Sequence, residues 1–418
     1  MNRDEIVALD KARVWHPFTA MRVYLDEVDP LVVVRAEGSR LWDADGRAYL
    51  DGNSSWWTAS LGHRHPRLVA AVERQLRAVD HVAFAGIAHE GAAALAAELV
   101  DVAPAGLNRV FYTDNGSTSL EAAIKMAVQA TGRTRFVALD GAYHGDTVGA
   151  ASLGGVETFR RPFGGILFDC VHAAFPGAHV PVDDSVAAVV VEPVLQGAAG
   201  MRIYAPSHLR ELRDACDRAG ALLVFDEVFT GYGRTGPMWA AQHAGVSPDI
   251  LCLGKAFAQF MPMGAVLVAD RVFDRFLADR ETAFHYGHTF CGNPLGAAVA
   301  REVLAIYKEE DVLGQVAAKT PRIARAMKRL GGRAIGMVGA VDLGSESSAR
   351  ESLEESGTLG TLGWRFYAEA RKRGAYLRPL GDTVYVCPPL TIAEKDLDEL
   401  LAIFEECVGA VSGRRPSP

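Results

Sequence analysis

Between about residue 60 and residue 305 the chain alternates short apolar runs with amphipathic stretches. The apolar runs are Val110–Tyr112, Phe136–Leu139, Ala187–Val191, Leu222–Phe225, Ile250–Leu253 and Ala265–Val268, each bounded by Gly, Pro or Asp. Their length and continuity predict strands buried on both faces, the signature of a mainly parallel sheet covered by helices. Helices are predicted from Pro66, with Val69, Val72, Leu76 and Val79 recurring at three- and four-residue spacing, and over Glu121–Ala130 and Ser207–Ala219. The flanks read differently. Hairpin-like pieces surround Glu37-Gly38 and Asp45-Gly46, and a strand, Thr383–Cys387, runs into Pro388-Pro389. The pattern predicts an α/β fold: a large domain over 60–310 with a mainly parallel central sheet and helices on both faces. A smaller α+β domain is predicted from the two chain ends, 1–59 and 311–418.

Composition changes little. Of 418 residues, 49% are apolar and 22% charged, which suits a globular protein with a sizeable core and excludes whole-chain disorder, collagen and coiled coil. The formal net charge of −8 argues against a general nucleic-acid binder, but not against a phosphorylated small molecule held at one helix terminus. The cysteines, Cys170, Cys216, Cys252, Cys291, Cys387 and Cys407, are scattered, with no C-x-x-C pair, so neither a disulfide framework nor a metal site is expected. Met1–Trp15 has no secretory apolar core, and Val186–Leu195 is short and broken by Glu192. The expectation is a cytoplasmic protein without a membrane span. Ser345–Ser356 reads as a surface piece, and Ser412–Pro418 as a frayed tail.

In such sheets ligands sit at the carboxyl ends of strands, so chemistry is sought just after each apolar run. Lys255 follows one run. Partial desolvation there would free its amine as a nucleophile, although a lone lysine at that place is explained as well by snorkelling. Asp226 follows another, and a buried carboxylate needs a cation or a capping role. Together, a lysine and an aspartate at neighbouring strand ends meet the needs of pyridoxal phosphate: an imine bond and a partner for the protonated pyridine nitrogen. Asp114–Glu121 follows a strand and opens a helix. There Gly116 and Ser117 suit a phosphate cradle, and a plain capping box, Thr118-x-x-Glu121, explains the residues equally well. Tyr143 and His144, flanked by glycines, could stack on a planar ring or form a turn with a buried tyrosine. Gly231-x-Gly233-x-x-Gly236 fits a dinucleotide fingerprint, but five residues separate it from its strand and Asp249 comes too early for the ribose acid.

The set Asp114-Asn-Gly-Ser117, Tyr143-His-Gly-Asp146, Asp226-Glu-Val228, Gly233-Arg-Thr-Gly236, Gly254-Lys255 and Gly287-His-Thr289-Phe290 resembles the class III, fold type I, pyridoxal-phosphate-dependent aminotransferases. The likeness covers nearly the whole chain in the family's order. Trp15–Met21, Asp51–Trp57, Gly141–Thr147 and Leu377–Gly381 are further similar to the biotin-pathway branch, which aminates 8-amino-7-oxononanoate. The resemblance implies pyridoxal 5'-phosphate as cofactor, bonded to Lys255, with Lys255 also moving the substrate proton. It implies that Asp226 faces the ring nitrogen, that Tyr143 and His144 lie at the ring, and that Gly116 and Ser117 hold the phosphate with Thr289 from a partner subunit, hence a homodimer. It assigns Trp56, Phe18, Asp146, Arg234, Gly287 and Arg378 to the substrates, with Arg378 on a carboxylate.

Three features depart from the pattern. Phe18 stands where many adenosylmethionine users have tyrosine, His288 stands where some have proline, and Ala256–Met263 lacks a common glycine pair. S-Adenosyl-L-methionine is the expected donor and lysine the alternative. The competing expectations are another class III transaminase acting on ω-amino acids, ornithine or 4-aminobutyrate, a nicotinamide dehydrogenase, and a catalytically silent binding protein.

Overall fold

The structure is a computed structural model and describes residues 1–174, 180–344 and 361–413. The Ser345–Ser356 piece and the end of the tail lie outside the described residues. The chain divides into two units, residues 66–314 and residues 1–65 with 315–418.

The 66–314 unit is built on seven strands, β1 (Leu107–Thr113), β2 (Arg135–Leu139), β3 (Cys170–Ala173), β4 (Val186–Val191), β5 (Leu222–Asp226), β6 (Ile250–Leu253) and β7 (Gly264–Ala269). Their spatial order is β1-β7-β6-β5-β4-β2-β3. β3, β2, β4, β5 and β6 run parallel to one another, while β7 is antiparallel to both β6 and β1. Every residue of β4, β5 and β6 is buried, which is why these strands carry apolar residues on both faces. β3 was not expected from the sequence. It is an edge strand and only partly buried, so Cys-Val-His-Ala carries no continuous apolar run.

Helix α1 spans Pro66–Leu76, α2 spans Gly116–Thr131 and α3 spans Pro294–Glu309. α2 packs Leu120, Ala123, Ile124 and Ala127 onto the sheet around Val190, Val224, Cys252 and Val266. In α1 the apolar stripe read from the sequence is not the buried face. Val69, Leu76 and Val79 are exposed, and Leu68 and Ala71 are buried instead. Beside that face, Arg67 forms ion pairs to Glu302 (2.6 Å) and Glu309 (2.8 Å) of α3.

The other unit holds an antiparallel meander, Val33–Glu37, Arg40–Asp43 and Ala48–Asp51, extended by Ala375–Tyr376 in parallel. A second sheet joins Arg333–Ile335, Val338–Asp342 and Thr383–Val386. The closing helix, Glu394–Ser412, buries Leu397, Leu400, Leu401 and Phe404. Among the described residues no helix is long and apolar enough to cross a membrane, and no group of three His, Cys, Asp or Glu is placed to hold a metal ion.

Candidate active site

The carboxyl ends of the central strands bring together most of the polar groups singled out above. β5 ends in Asp226, whose carboxylate is 5% exposed. One oxygen, Oδ2, meets His144 Nδ1 at 2.8 Å, and the other, Oδ1, accepts the Val228 amide at 3.0 Å. The His144 ring is buried, and its Nε2 has no hydrogen-bond partner among the described residues. A histidine fixed by one aspartate at Nδ1 holds that aspartate in place.

Lys255 follows β6, the next strand. Cα register pairs Asp226 with Cys252, and the Glu227 amide donates to the Cys252 carbonyl at 3.0 Å, so the two strand ends lie side by side. Gly254 is extended, and Lys255 then adopts φ of +47°, a left-handed conformation that is strained for a side chain of this size. Its Nζ lies 6.0 Å from the centroid of the Phe229 ring.

α2 begins where a phosphate cradle was expected, and its cap differs from the expected one. Asn115, not Thr118, is the N-cap: Asn115 Oδ1 accepts the Thr118 amide at 3.0 Å, and Thr118 Oγ1 accepts the Asn115 amide at 3.2 Å. The expected partner Glu121 turns away and accepts the amides of Gly149 (2.7 Å) and Ala150 (3.2 Å). The helix therefore starts three residues earlier, at Gly116. Among the described residues, no side chain or turn carbonyl accepts from the first-turn amides of Gly116 and Ser117. Gly116 is hemmed in from below, since a Cβ there would meet Val228 Cγ1 at 2.7 Å. Gly145, at φ of +125°, packs directly on Ser117, and the Asp146 amide donates to Ser117 Oγ at 3.3 Å.

Tyr143 is partly buried. Its hydroxyl donates to Asp146 Oδ2 at 2.6 Å, and burial followed by that bond pushes its pKa well up. Its amide donates to Glu192 Oε1 at 3.1 Å. Glu192 was visible in the sequence only as a break in an apolar run. It stands just after β4, where the strand-end rule would have found it. Its carboxylate is pushed up to about 7, first by desolvation, with the His144 charge opposing and the Asp226 charge adding. Glu227, also fully buried, is pushed up to about 7 by desolvation against the amides of Ala240 and Ala241.

Arg234 is buried, 2% exposed, in the glycine-rich turn after β5. Gly287 and Thr289 are exposed, and no hydrogen bond joins either to Gly116 or Ser117 within the described chain.

The remaining candidates lie in the 1–65/315–418 unit. Trp56 is presented by four consecutive residues in left-handed conformation, Ser54, Ser55, Trp56 and Trp57, with φ of +48°, +44°, +63° and +73°. Each such residue costs of order 1 kcal/mol, so the turn must be held from outside. Ser54 Oγ donates to the Cys387 carbonyl (2.6 Å), Ser55 Oγ to Asp51 Oδ2 (2.8 Å) and Trp57 Nε1 to the Tyr385 hydroxyl (3.1 Å). Asp51 is 1% exposed and also meets His63 Nε2 at 2.8 Å. Trp56 stays 43% exposed, with the Phe18 ring edge-on at 5.6 Å. The Arg378 guanidinium carbon lies 5.2 Å from the Trp56 ring centroid. The sequence signalled neither this turn nor its bracing by Asp51 and His63.

Comparison with known proteins follows this geometry. Residues 23–408 match the family model described as aminotransferase class-III. A relative from Nitratidesulfovibrio vulgaris, named adenosylmethionine-8-amino-7-oxononanoate aminotransferase, is 40% identical over 97% of this chain and 82% of its own length. A crystal structure of the enzyme of that name from Methanocaldococcus jannaschii superposes with a TM-score of 0.88 at 31% identity, covering 97% of this chain and 99% of that one. An (S)-enantioselective omega-transaminase from Thermomicrobium roseum is equally similar in fold, with a TM-score of 0.89 at 30% identity, covering 98% of this chain and 99% of that one. The backbone is thus shared across transaminases of different specificity. With its mainly parallel sheet, its lysine and aspartate at adjoining strand ends, and a family match across most of its length, the chain belongs to the class III aminotransferases.

Proposed function

We propose that this aminotransferase uses pyridoxal 5'-phosphate and transfers an amino group to 8-amino-7-oxononanoate, giving 7,8-diaminononanoate, with S-adenosyl-L-methionine as donor. The observation that carries the cofactor reading is the Asp226–His144 pair at 2.8 Å beside the strand that ends in Lys255. A buried carboxylate braced on one oxygen by histidine and on the other by an amide suits the protonated nitrogen of a pyridine ring. The uncapped first-turn amides of α2 and the Ser117 hydroxyl suit a phosphate, and glycines at 116 and 145 keep side chains out of that space.

When bound, the cofactor supplies an aldehyde that condenses with primary amines and a ring that withdraws electrons from the carbon next to nitrogen. Lys255 would hold the cofactor covalently, and its amine is the group that would take the proton from the donor's Cα and return one to the acceptor carbon. Asp226, kept in place by His144, would stabilise positive charge at the ring nitrogen. Tyr143, tied to Asp146, would lie against the ring. Gly116 and Ser117 would donate to the phosphate. Thr289 does the same for the neighbouring subunit of a homodimer, and Gly287 stands next to it. Arg378 receives the substrate carboxylate. Trp56 and Phe18 give apolar contact to the nine-carbon chain, and Asp146 and Arg234 contact the donor. Six free cysteines suit a cytoplasmic location.

The names carried by the relatives support the choice of acceptor, and so does the occurrence of Trp56 and Arg378 together. The purified holoenzyme is to be given 8-amino-7-oxononanoate with adenosylmethionine, lysine or 4-aminobutyrate in separate reactions. The reading expects diamine, most from adenosylmethionine. Most from lysine would change the donor, as Phe18 in place of tyrosine would allow. No diamine with any donor would reject the acceptor.

A further inference from the structure

We infer that Trp364 is a positioning residue that, with Trp56, fixes the plane of the Arg378 guanidinium and so sets how strongly the protein prefers substrates ending in a carboxylate. This rests on the reading of Arg378 as the carboxylate anchor. The Arg378 guanidinium carbon lies 5.2 Å from the Trp56 ring centroid and 5.7 Å from that of Trp364, both within cation–π range. Its backbone amide is fixed by Asn53 Oδ1 at 2.5 Å. Among the described residues no carboxylate lies within 4.0 Å of this guanidinium. Other arginines of the same unit are held by carboxylates, as Arg322 is by Asp398 and Glu394, and Arg333 by Asp342. Arg378 is held instead by two indoles, and among the described residues no side-chain hydrogen bond engages its N–H edges.

The two rings are anchored independently. Trp56 is carried by the left-handed turn that Asp51 braces. Trp364 sits in the first turn of the helix Leu362–Lys372, capped by Thr361. Its ring packs edge-on against Tyr367 at 5.3 Å, and Tyr367 packs on Tyr376 at 5.9 Å. A guanidinium stacked in this way keeps its in-plane donors aligned for a planar, bidentate carboxylate. Without Trp364 the fork gains rotational freedom, and ordering it must then be done by the ligand. A neutral amide forms no ion pair and offers the fork one acceptor oxygen, not two, so its binding would depend little on the plane of the guanidinium.

The test uses nonanoate and nonanamide, unreactive nine-carbon probes, titrated calorimetrically into the holoenzyme of wild type and of Trp364→Leu, Trp364→Phe and Arg378→Met. We expect wild type to prefer nonanoate, Arg378→Met to lose that preference, and Trp364→Leu to bind nonanoate about tenfold more weakly with nonanamide unchanged. Trp364→Phe should recover most of the loss. In turnover, Trp364→Leu should raise KM for the carboxylate-bearing acceptor by a similar factor and leave kcat within about twofold. Trp364→Leu that discriminates as wild type does, or that loses both probes equally, overturns the inference while leaving Arg378 as the anchor. Wild type and Arg378→Met binding both probes alike would overturn the anchor reading, and this inference with it.

Discussion

Gly116→Ala tests the phosphate cradle through packing alone. The added Cβ would lie 2.7 Å from Val228 Cγ1 and 3.0 Å from Cγ2, whereas ordinary contact begins at 3.4 Å, so Val228 must yield by several tenths of an ångström. Val228 cannot yield freely. Its amide is bonded to Asp226 Oδ1 at 3.0 Å, and its Cγ1 is also the atom that a Cβ on Gly254 would meet, at 3.2 Å. Overpacking of this kind costs about 1–3 kcal/mol. Because the displaced residue supports Asp226 and the lysine-bearing strand end, we expect most of that cost to fall on cofactor binding, which corresponds to roughly 5- to 150-fold weaker affinity for pyridoxal phosphate. The assay is a cofactor titration followed by absorbance, with urea unfolding of the apo-protein run alongside. The double variant Gly116→Ala/Val228→Ala removes the clashing methyls and should regain most of the affinity. Unchanged affinity in Gly116→Ala, or no recovery in the double variant, would refute the reasoning, since the first denies that the space is needed and the second that Val228 is the obstacle.

Lys255→Ala should bind the cofactor weakly and show no turnover in a transamination assay; wild-type activity would contradict its role. Glu192 carries a raised pKa, so the folded state holds its proton to higher pH than the unfolded state does, and its ionisation removes stability as pH rises from about 4.5 to about 7. Chemical denaturation of Glu192→Gln across that window should give a flatter pH dependence than wild type, and parallel curves would refute the assignment. Asp51→Asn should lower stability by about 1–3 kcal/mol and raise KM for the acceptor, because it disrupts the carboxylate that holds Ser55 and His63 around the left-handed turn. Stability and KM both at wild-type values would show that the turn needs no such brace. Sedimentation should find a dimer at assay concentration; an active monomer would remove Thr289 from the neighbouring site.

Much of the fold was legible because a strand buried on both faces must be apolar throughout. Val186–Val191, Leu222–Asp226 and Ile250–Leu253 announce themselves in that way, and the residues that follow them, Asp226 and Lys255, stand where a parallel sheet puts chemistry. β3 was not legible, because an edge strand is under no such constraint. Nor was the face of α1, which buries Leu68 and Ala71 and leaves Val69 and Leu76 exposed. The cap of α2 was misread because Asn115 and Thr118 satisfy each other locally, and Glu121 finds better partners in the amides of Gly149 and Ala150, which sequence distance conceals.

The amino-acid sequence alone determined which side chains could serve and which strand ends would carry them, since burial patterns and local backbone preferences are written in neighbouring residues. Tertiary structure alone decided that His144 braces Asp226 from 82 positions away, and that Trp56 and Trp364 close on Arg378. The physical reason is that hydrogen bonds and ring contacts act over a few ångströms of space whatever their separation along the chain, and no periodicity records which distant residues folding will bring within that range.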